Sequence, residues 1–304
     1  MDGILPIYKQ RGLTSTDVVS QLRRMLHMKR VGHSGTLDPN VDGVLPIALG
    51  VATKAVPMLM TAGKTYIGEI TFGFATTTED LDGDVVEQVK LSKPFTNAEI
   101  DAAFAQMTGE ITQIPPMFSA VKVNGRRLYD YARAGDPVER PQRQVTIYQF
   151  KRTSEPEFDA GQQTVRFEAQ VSKGTYIRTL AVDTGKILGV PAVMSDLTRI
   201  QSGGFGIGQT ISLTQVQTAI DAGTLAQFVK PVEFAYPDVP HYHLSEAQWA
   251  DVQNGKFLRL QNDEPLLALF YQNHLKAIYR HQAGLYRPET MYLANAGTTA
   301  NSNS

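Results

Sequence analysis

The segment VGHSGTLDPNVDGVLPIALGVATK, Val31 to Lys54, places a carboxylate, Asp38, between Gly-Thr-Leu and Pro, shortly before a run with almost no charge. Neither a cysteine nor a histidine cluster stands beside it, so thiolate chemistry and a metal centre are not indicated there. An aspartate before proline ordinarily starts a turn and accepts a hydrogen bond from its own backbone. The alternative is a nucleophile, because a carboxylate can form and release an ester-like adduct with a carbon centre. Such a carboxylate must be ionised and dry, and those conditions conflict unless a cation replaces the lost hydration. Asp38 reads as a solitary acid in this sense.

The bulk properties narrow the setting. A length of 304 residues, 42% hydrophobic and 19% charged, is ordinary for a globular chain of about two domains. A net charge of −1 excludes a uniformly basic nucleic-acid binder and leaves room for a local basic patch. With no cysteine there are no disulfides and no cysteine zinc sites. No apolar stretch approaches the roughly 18 residues of a spanning helix, so a soluble cytoplasmic protein with no membrane attachment is expected. There is no G-x-x-x-x-G-K-[ST], GGFGIG lacks dinucleotide-binding spacing, and no G-x-S-x-G is present. His241 and His243 flank Tyr242 in a Pro-rich stretch and read as surface residues rather than metal ligands.

The elements that must position Asp38 are partly legible. Thr14 or Ser15 caps a helix with Val18, Val19, Leu22 and Leu26 on one face and Arg23, Arg24 and His27 on the other. TYIGEITFGF alternates, which puts Tyr66, Ile70, Phe72 and Phe74 on one strand face. Thr96 and Glu99 form a capping box for a helix that can stop at Gly109. Asn124-Gly125 predicts a tight hairpin. It lies in a stretch where Lys122, Arg126, Arg127, Arg133, Arg140 and Arg143 outnumber Asp130, Asp136 and Glu139, with Tyr129 and Tyr131 interleaved. A strand through Val165, Phe167, Ala169 and Val171 turns at Lys173-Gly174 into a helix that can end at Gly189. Strands and helices mix without regular alternation, so an α+β fold with a mixed, largely antiparallel central sheet flanked by helices is expected. Pro231, Pro237 and Pro240 mark a linker, after which Ser245 and Gln248 cap a short helix stapled by Leu244 and Trp249. KFLRL, LLALFY and LKAIY then read as three short strands of a small, mainly β module, followed by a polar tail.

Seven segments occur in an order that resembles the TruB family of pseudouridine synthases: GHSGTLDP, DGVLPIALGVATK, KTYIGEITFG, TTTEDLDGDV, PPMFSAVKVNGRRLYDYARAG, SKGTYIRTLAVDTG and LTRIQSGGF. The resemblance implies the pseudouridine synthase fold over 1–232, with an RNA-gripping insertion at about 115–145. It also implies a PUA-like C-terminal RNA-binding domain over 238–292, leaving a disordered tail at 293–304. It further implies isomerisation of the T-loop uridine at tRNA position 55 on a flipped-out base. No metal or organic cofactor is then needed, tRNA is the partner, and no obligate protein partner is expected. Carried over residue by residue, Asp38 is the nucleophile, Arg178 its paired cation and Tyr66 the tyrosine that stacks on uracil. Tyr176 and Leu197 line the pocket, and His33 engages extruded T-loop nucleotides. Asp80 supports a basic side chain, Lys54 meets phosphate or the nearby acid, and Lys122, Arg126 and Arg127 grip RNA. Two other classes compete with this reading. One is a protein whose main task is to refold the tRNA elbow, and the other is a nucleoside-releasing glycosidase, which would need a second carboxylate.

Overall fold

The computed structural model describes residues 1–293 of the chain. Its main feature is a ten-stranded sheet. Along the sheet the long strands run Gly3–Lys9, Asp42–Leu49, Ala192–Ser202, Lys64–Phe72, Gln162–Val171, Arg143–Arg152 and Gly109–Gln113. Every neighbouring pair in this order is antiparallel except Asp42–Leu49 with Ala192–Ser202, which is parallel. The sheet is therefore mixed and largely antiparallel, as the sequence pattern predicts.

Alternation explains which face each strand buries. Along Lys64–Phe72, Tyr66, Ile70 and Phe72 are buried while Ile67 is exposed. The expected continuation to Phe74 is a misreading. Gly73, at φ +116°, breaks the strand, and Phe74 opens a separate hairpin, Phe74–Thr76 against Val85–Gln88. Helix Ser15–Met25 begins at Thr14, whose side chain caps Asp17 N–H and whose backbone is capped in turn by Asp17. Thr96 and Glu99 do the same for helix Asn97–Gln106. Helix Ile177–Ile187 follows Gly174 and is closed off by Gly189, both at positive φ. These helices bury Val18, Leu22, Ile100, Phe104 and Leu180 against sheet residues such as Ile47, Phe72 and Phe167. Phe104 stacks on Phe150 with centroids 3.8 Å apart.

The Asn124-Gly125 turn closes the predicted hairpin, with φ values of +52° and +81° joining Lys122–Val123 to Arg126–Arg127. In the C-terminal module a four-stranded sheet runs His241–His243, Leu266–Tyr271, His274–Gln282, Leu285–Met291. KFLRL is not one of its strands. Leu258 is buried and Leu260 packs beside it, but only Leu258 makes a bridge, to Tyr286 alone. The edge place falls instead to His241–His243, whose parallel partner lies further along the chain and leaves no local signal. The Pro-rich segment is likewise not a free linker. Ala235, Tyr236 and Val239 are buried in a cluster with Val44, Phe205, Phe270 and Tyr292, and the Tyr236 and Tyr292 hydroxyls share a hydrogen bond. The expected disordered tail lies, from residue 294 on, outside the described residues.

The parallel contact between Asp42–Leu49 and Ala192–Ser202 is tight because Gly43 has no side chain. A Cβ there would stand 2.2 Å from Arg199 O and 2.8 Å from Arg199 N, at a φ of +111°. Gly43→Ala is expected to destabilise the protein by more than about 1 kcal/mol, since both the backbone and its neighbour must move. Denaturant unfolding of wild type and variant would show this as a lower midpoint at unchanged m-value.

Candidate active site

Asp38 sits in the loop between strands Val31–His33 and Asp42–Leu49, and buried polar groups hold that loop from both sides. On one side the Lys9 ammonium, fully buried, donates to the carbonyls of Leu13 at 2.6 Å, Pro39 at 3.0 Å and Gln10 at 3.1 Å. Ser15 Oγ accepts the Leu37 N–H at 2.9 Å. On the other side the buried Arg199 donates to Val44 O at 2.8 Å, Gly35 O at 3.2 Å and Thr36 O at 3.4 Å. The loop turns tightly, with Val41 N–H reaching Asp38 O at 3.1 Å.

The Asp38 side chain does not cap its own backbone. It points to Arg178, whose Nε lies 3.1 Å from Asp38 Oδ2 and 3.7 Å from Asp80 Oδ2. The other guanidinium donors go to Thr78 O and Phe118 O, each at 2.9 Å. Asp80 is held in turn by Thr78 Oγ1 at 2.5 Å and by Asp82 N–H at 3.0 Å. The Arg178 side chain is 7% exposed and that of Asp38 is 40% exposed. The cation is thus sealed beneath an acid that remains open to solvent. Burial pushes the Asp38 carboxyl above the usual carboxylate range, Arg178 opposes that push, and Asp80 and Asp82 add to it. The expectation of a solitary acid is therefore corrected, because Asp38 shares its cation with Asp80. Asp42, four residues on, belongs elsewhere and bonds Tyr8 and Thr198 while pairing with Arg11.

A cavity of about 300 Å³ opens over this pair, lined among others by Asp38, Tyr66, Tyr176, Arg178 and Leu197. Five of the residues expected at the site thus come together. Tyr66 is buried on strand Lys64–Phe72, beside Arg199 in register. Tyr176 stands at the head of helix Ile177–Ile187, where Gln113 grips its backbone, accepting its N–H at 3.0 Å and donating to its carbonyl at 3.2 Å. Asp80 lines a second cavity of about 200 Å³ that meets the first at Asp38 and Leu197.

Other expected residues lie elsewhere. His33 does not line either cavity, and its Nδ1 accepts the Gly35 N–H at 3.3 Å, with burial holding its pKa below the ordinary histidine value. Lys54 does not meet Asp38, because its ammonium donates to Met291 O of the C-terminal module at 2.8 Å. Arg126 pairs at the surface with Asp136 at 2.5 Å, with its guanidinium 4.4 Å over the Tyr131 ring, so it also braces the excursion. Lys122 and Arg127 are exposed on the hairpin. Lys9, Gln113 and Arg199 were not among the expected site residues. They are buried polar side chains satisfied by backbone groups, and a lone polar residue within an otherwise apolar strand pattern is the only trace such a role leaves.

Comparison with known proteins agrees with this geometry. Residues 23–177 match the family described as TruB family pseudouridylate synthase (N terminal domain), and residues 178–236 match the tRNA pseudouridylate synthase B C-terminal domain. The chain is 58% identical over 297 residues to tRNA pseudouridine synthase B of Lacticaseibacillus paracasei, covering 97% of this chain and 99% of that one. It is 59% identical over 304 residues to the protein of the same name from Latilactobacillus sakei, covering 98% and 100%. Among solved structures it resembles a chain of a Cbf5-Nop10-Gar1 complex, with a TM-score of 0.72, 26% identity and coverage of 96% and 85%. The α+β fold built on a mixed sheet, with its small C-terminal β module, is that of a pseudouridine synthase. The chain belongs to the TruB family and is an isomerase.

If Arg178 is what keeps Asp38 ionised, Arg178→Gln will move the Asp38 carboxyl titration further upward, since burial, Asp80 and Asp82 are then opposed only by the weaker pull of Lys9. Carbon-detected NMR titration of the aspartates reads this directly. An unchanged Asp38 titration would show that the ion pair does not set its charge.

Proposed function

We propose that the protein isomerises the T-loop uridine at position 55 of tRNA to pseudouridine, with Asp38 as nucleophile on a flipped-out base. The observation that carries this reading is an ion pair of 3.1 Å between Asp38 and Arg178 at the floor of a cavity also lined by Tyr66 and Leu197. Its volume of about 300 Å³ suits one small planar group rather than a duplex. The names of the relatives supply the substrate class, and the family resemblance supplies the position.

The reaction breaks the bond between uracil N1 and ribose C1′ and joins C5 of the same base to C1′. The C5 proton leaves and N1 gains one, so no atoms are exchanged beyond protons. A single carboxylate suffices, because it holds one fragment in an adduct while the base turns and is released when the new bond forms. Asp38 has the exposure to reach a substrate, and Arg178 beneath it holds the negative charge in place. Tyr66 and Leu197 sandwich the base and exclude water, with the Tyr66 hydroxyl available to the C5 proton. Extruding the base from the folded elbow costs a few kcal/mol, which stacking and phosphate contacts offset. Lys122 and Arg127, exposed on the hairpin, are suited to those phosphate contacts. The C-terminal module is read as PUA-like and RNA-binding.

Pseudouridine formation displaces the hydrogen on C5, so tRNA tritiated at that carbon reports turnover as released label. The wild type should release label from position 55 only, and a transcript with cytidine there should release none. Asp38→Asn should slow release by about 10³-fold or more. Equal rates would remove Asp38 from the mechanism. The single-turnover rate should also fall on acidification through the Asp38 pKa. Because that pKa is raised, the acid limb should sit above the ordinary carboxylate range.

A further inference from the structure

The two cavities that meet at Asp38 differ in charge. The smaller is lined by Asp80, Asp82 and Asp196, with Arg11 the one basic residue on its wall. The larger is lined by Lys64, Arg143, Lys173 and Arg199 as well as Arg178, with Asp38 as its one acid. A polyanion therefore enters from the larger side. Most of these cations are already occupied or lie at the rim. Arg178 and Arg199 spend their donors on carbonyls and carboxylates, while Arg143 and Lys173 are exposed.

Lys64 is different. It is 8% exposed, yet among the described residues its ammonium makes a single long hydrogen bond, 3.5 Å to Met60 O, and no ion pair. An ammonium carries three donors, and burying one so thinly partnered is costly unless a further acceptor arrives. The groups that face it from each neighbouring element supply no negative charge. Met60 offers a carbonyl from the end of helix Val56–Thr61, and both the Lys64 side-chain end and the Arg199 guanidinium lie beside Gly35. Lys173 projects from the turn after strand Gln162–Val171. Asp38 shares the cavity and is already paired with Arg178. Burial, Arg199 and Lys173 together lower the Lys64 pKa to about 8.

Lys64 and Tyr66 are two apart on one strand, so they project from the same sheet face about 7 Å apart along it, and both line the cavity. We propose that Lys64 holds the backbone phosphate of the everted nucleotide while Tyr66 packs against its base. This assignment rests on the nucleotide reading of the site given above and adds to it the group that fixes where the sugar–phosphate lies. The phosphate supplies the acceptors and the charge that Lys64 lacks in the free protein, and it sets the ribose C1′ at a fixed depth relative to Asp38. Lys64 is then a binding and positioning residue with no proton to transfer.

The test uses full-length protein and unmodified tRNA transcript. Lys64→Met should weaken tRNA binding by about ten-fold and flatten the dependence of log K on log salt by about one unit. Lys64→Arg should retain binding. Because the free ammonium titrates near pH 8 and the phosphate-bound one titrates higher, wild-type affinity should fall as pH rises from 7 to 9.5. The Lys64→Arg variant, charged throughout that range, should lose this part of the fall. Lys9 has a similarly lowered pKa of about 8 and is present in both proteins, so the difference between them isolates Lys64. A methylphosphonate placed in turn on either side of the target nucleotide should, at one of the two, abolish the difference between wild type and Lys64→Met.

Unchanged affinity and salt slope in Lys64→Met, with the wild type still releasing label, overturn the assignment while sparing the proposed reaction. So does a Lys64→Arg variant that binds normally but turns over slowly at saturating tRNA, since that outcome makes Lys64 a proton carrier. If Lys64→Met fails to fold, the pH comparison of wild type with Lys64→Arg is repeated on the methylphosphonate tRNAs: loss of their difference at one of the two positions supports the assignment, and its persistence at both overturns it. Absence of label release from the wild type would instead sink the underlying reaction.

Discussion

The site depends on one contact, that between Asp38 and Arg178. Burial favours a proton on the carboxylate, and a guanidinium 3.1 Å away favours its loss. Arg178 is itself nearly sealed, more so than the partly accessible acid it serves, and a buried guanidinium left without partners is costly. Each of its three nitrogens accordingly has a partner, Nη1 and Nη2 a carbonyl each and Nε two carboxylates. One cation between two acids leaves a surplus negative charge, and the surroundings decide where it is reactive. Asp80 receives a hydroxyl and a backbone N–H on the oxygen that does not face Arg178. Among the described residues the Asp38 carboxylate receives no such donor, and Asp38 lines both cavities. The acid with fewer protein partners is the one with the more exposed side chain.

The sheet order brings these groups together from distant parts of the chain. Strands Asp42–Leu49, Ala192–Ser202 and Lys64–Phe72 lie side by side, which sets Thr198 opposite Asp42 and Arg199 opposite both Gly43 and Tyr66. The loop bearing Asp38 and the cavity-lining Tyr66 and Leu197 are therefore neighbours by register. Arg178 reaches the same place from the first turn of the helix that follows strand Gln162–Val171, which pairs with the far edge of Lys64–Phe72. A one-residue slip between any of these strands would turn Tyr66 or Leu197 to the opposite face.

What was legible in the sequence is what local chemistry determines. The capped helices at Thr14 and Thr96, the alternation through Tyr66 and the Asn124-Gly125 turn each rest on residues a few positions apart, and each forms as expected. Asp38, Arg178, Tyr66, Tyr176 and Leu197 do converge, although their roles were visible only through ordered family motifs and not through any spacing. What the sequence leaves out shares a cause. Lys54 and Arg126 carry charges that look unpartnered in sequence, yet one meets a carbonyl of the C-terminal module and the other a carboxylate and a ring within its own excursion. Lys9, Gln113 and Arg199 went unnoticed because their partners are backbone groups, which no residue code records. The short strand His241–His243 and the packed Pro-rich segment depend on partners far along the chain, where composition alone reads as a linker.

That last misreading changes how the C-terminal module relates to the site. Val44 lies on the strand that leads out of the Asp38 loop, and its side chain is buried in the same cluster as Phe205, Tyr236, Phe270 and Tyr292. Its carbonyl, meanwhile, accepts the Arg199 hydrogen bond that helps to hold Gly35 and Thr36. One residue thus joins the seam of the small sheet to the anchoring of the catalytic loop. Lys54 adds a second tie from the short helix Gly50–Ala55 to Met291. Apolar packing of this kind resists sliding because each side chain fills a space shaped by its neighbours. The module is therefore more than an appendage. Its packed face is continuous with the scaffold that fixes where Asp38 stands relative to Arg178.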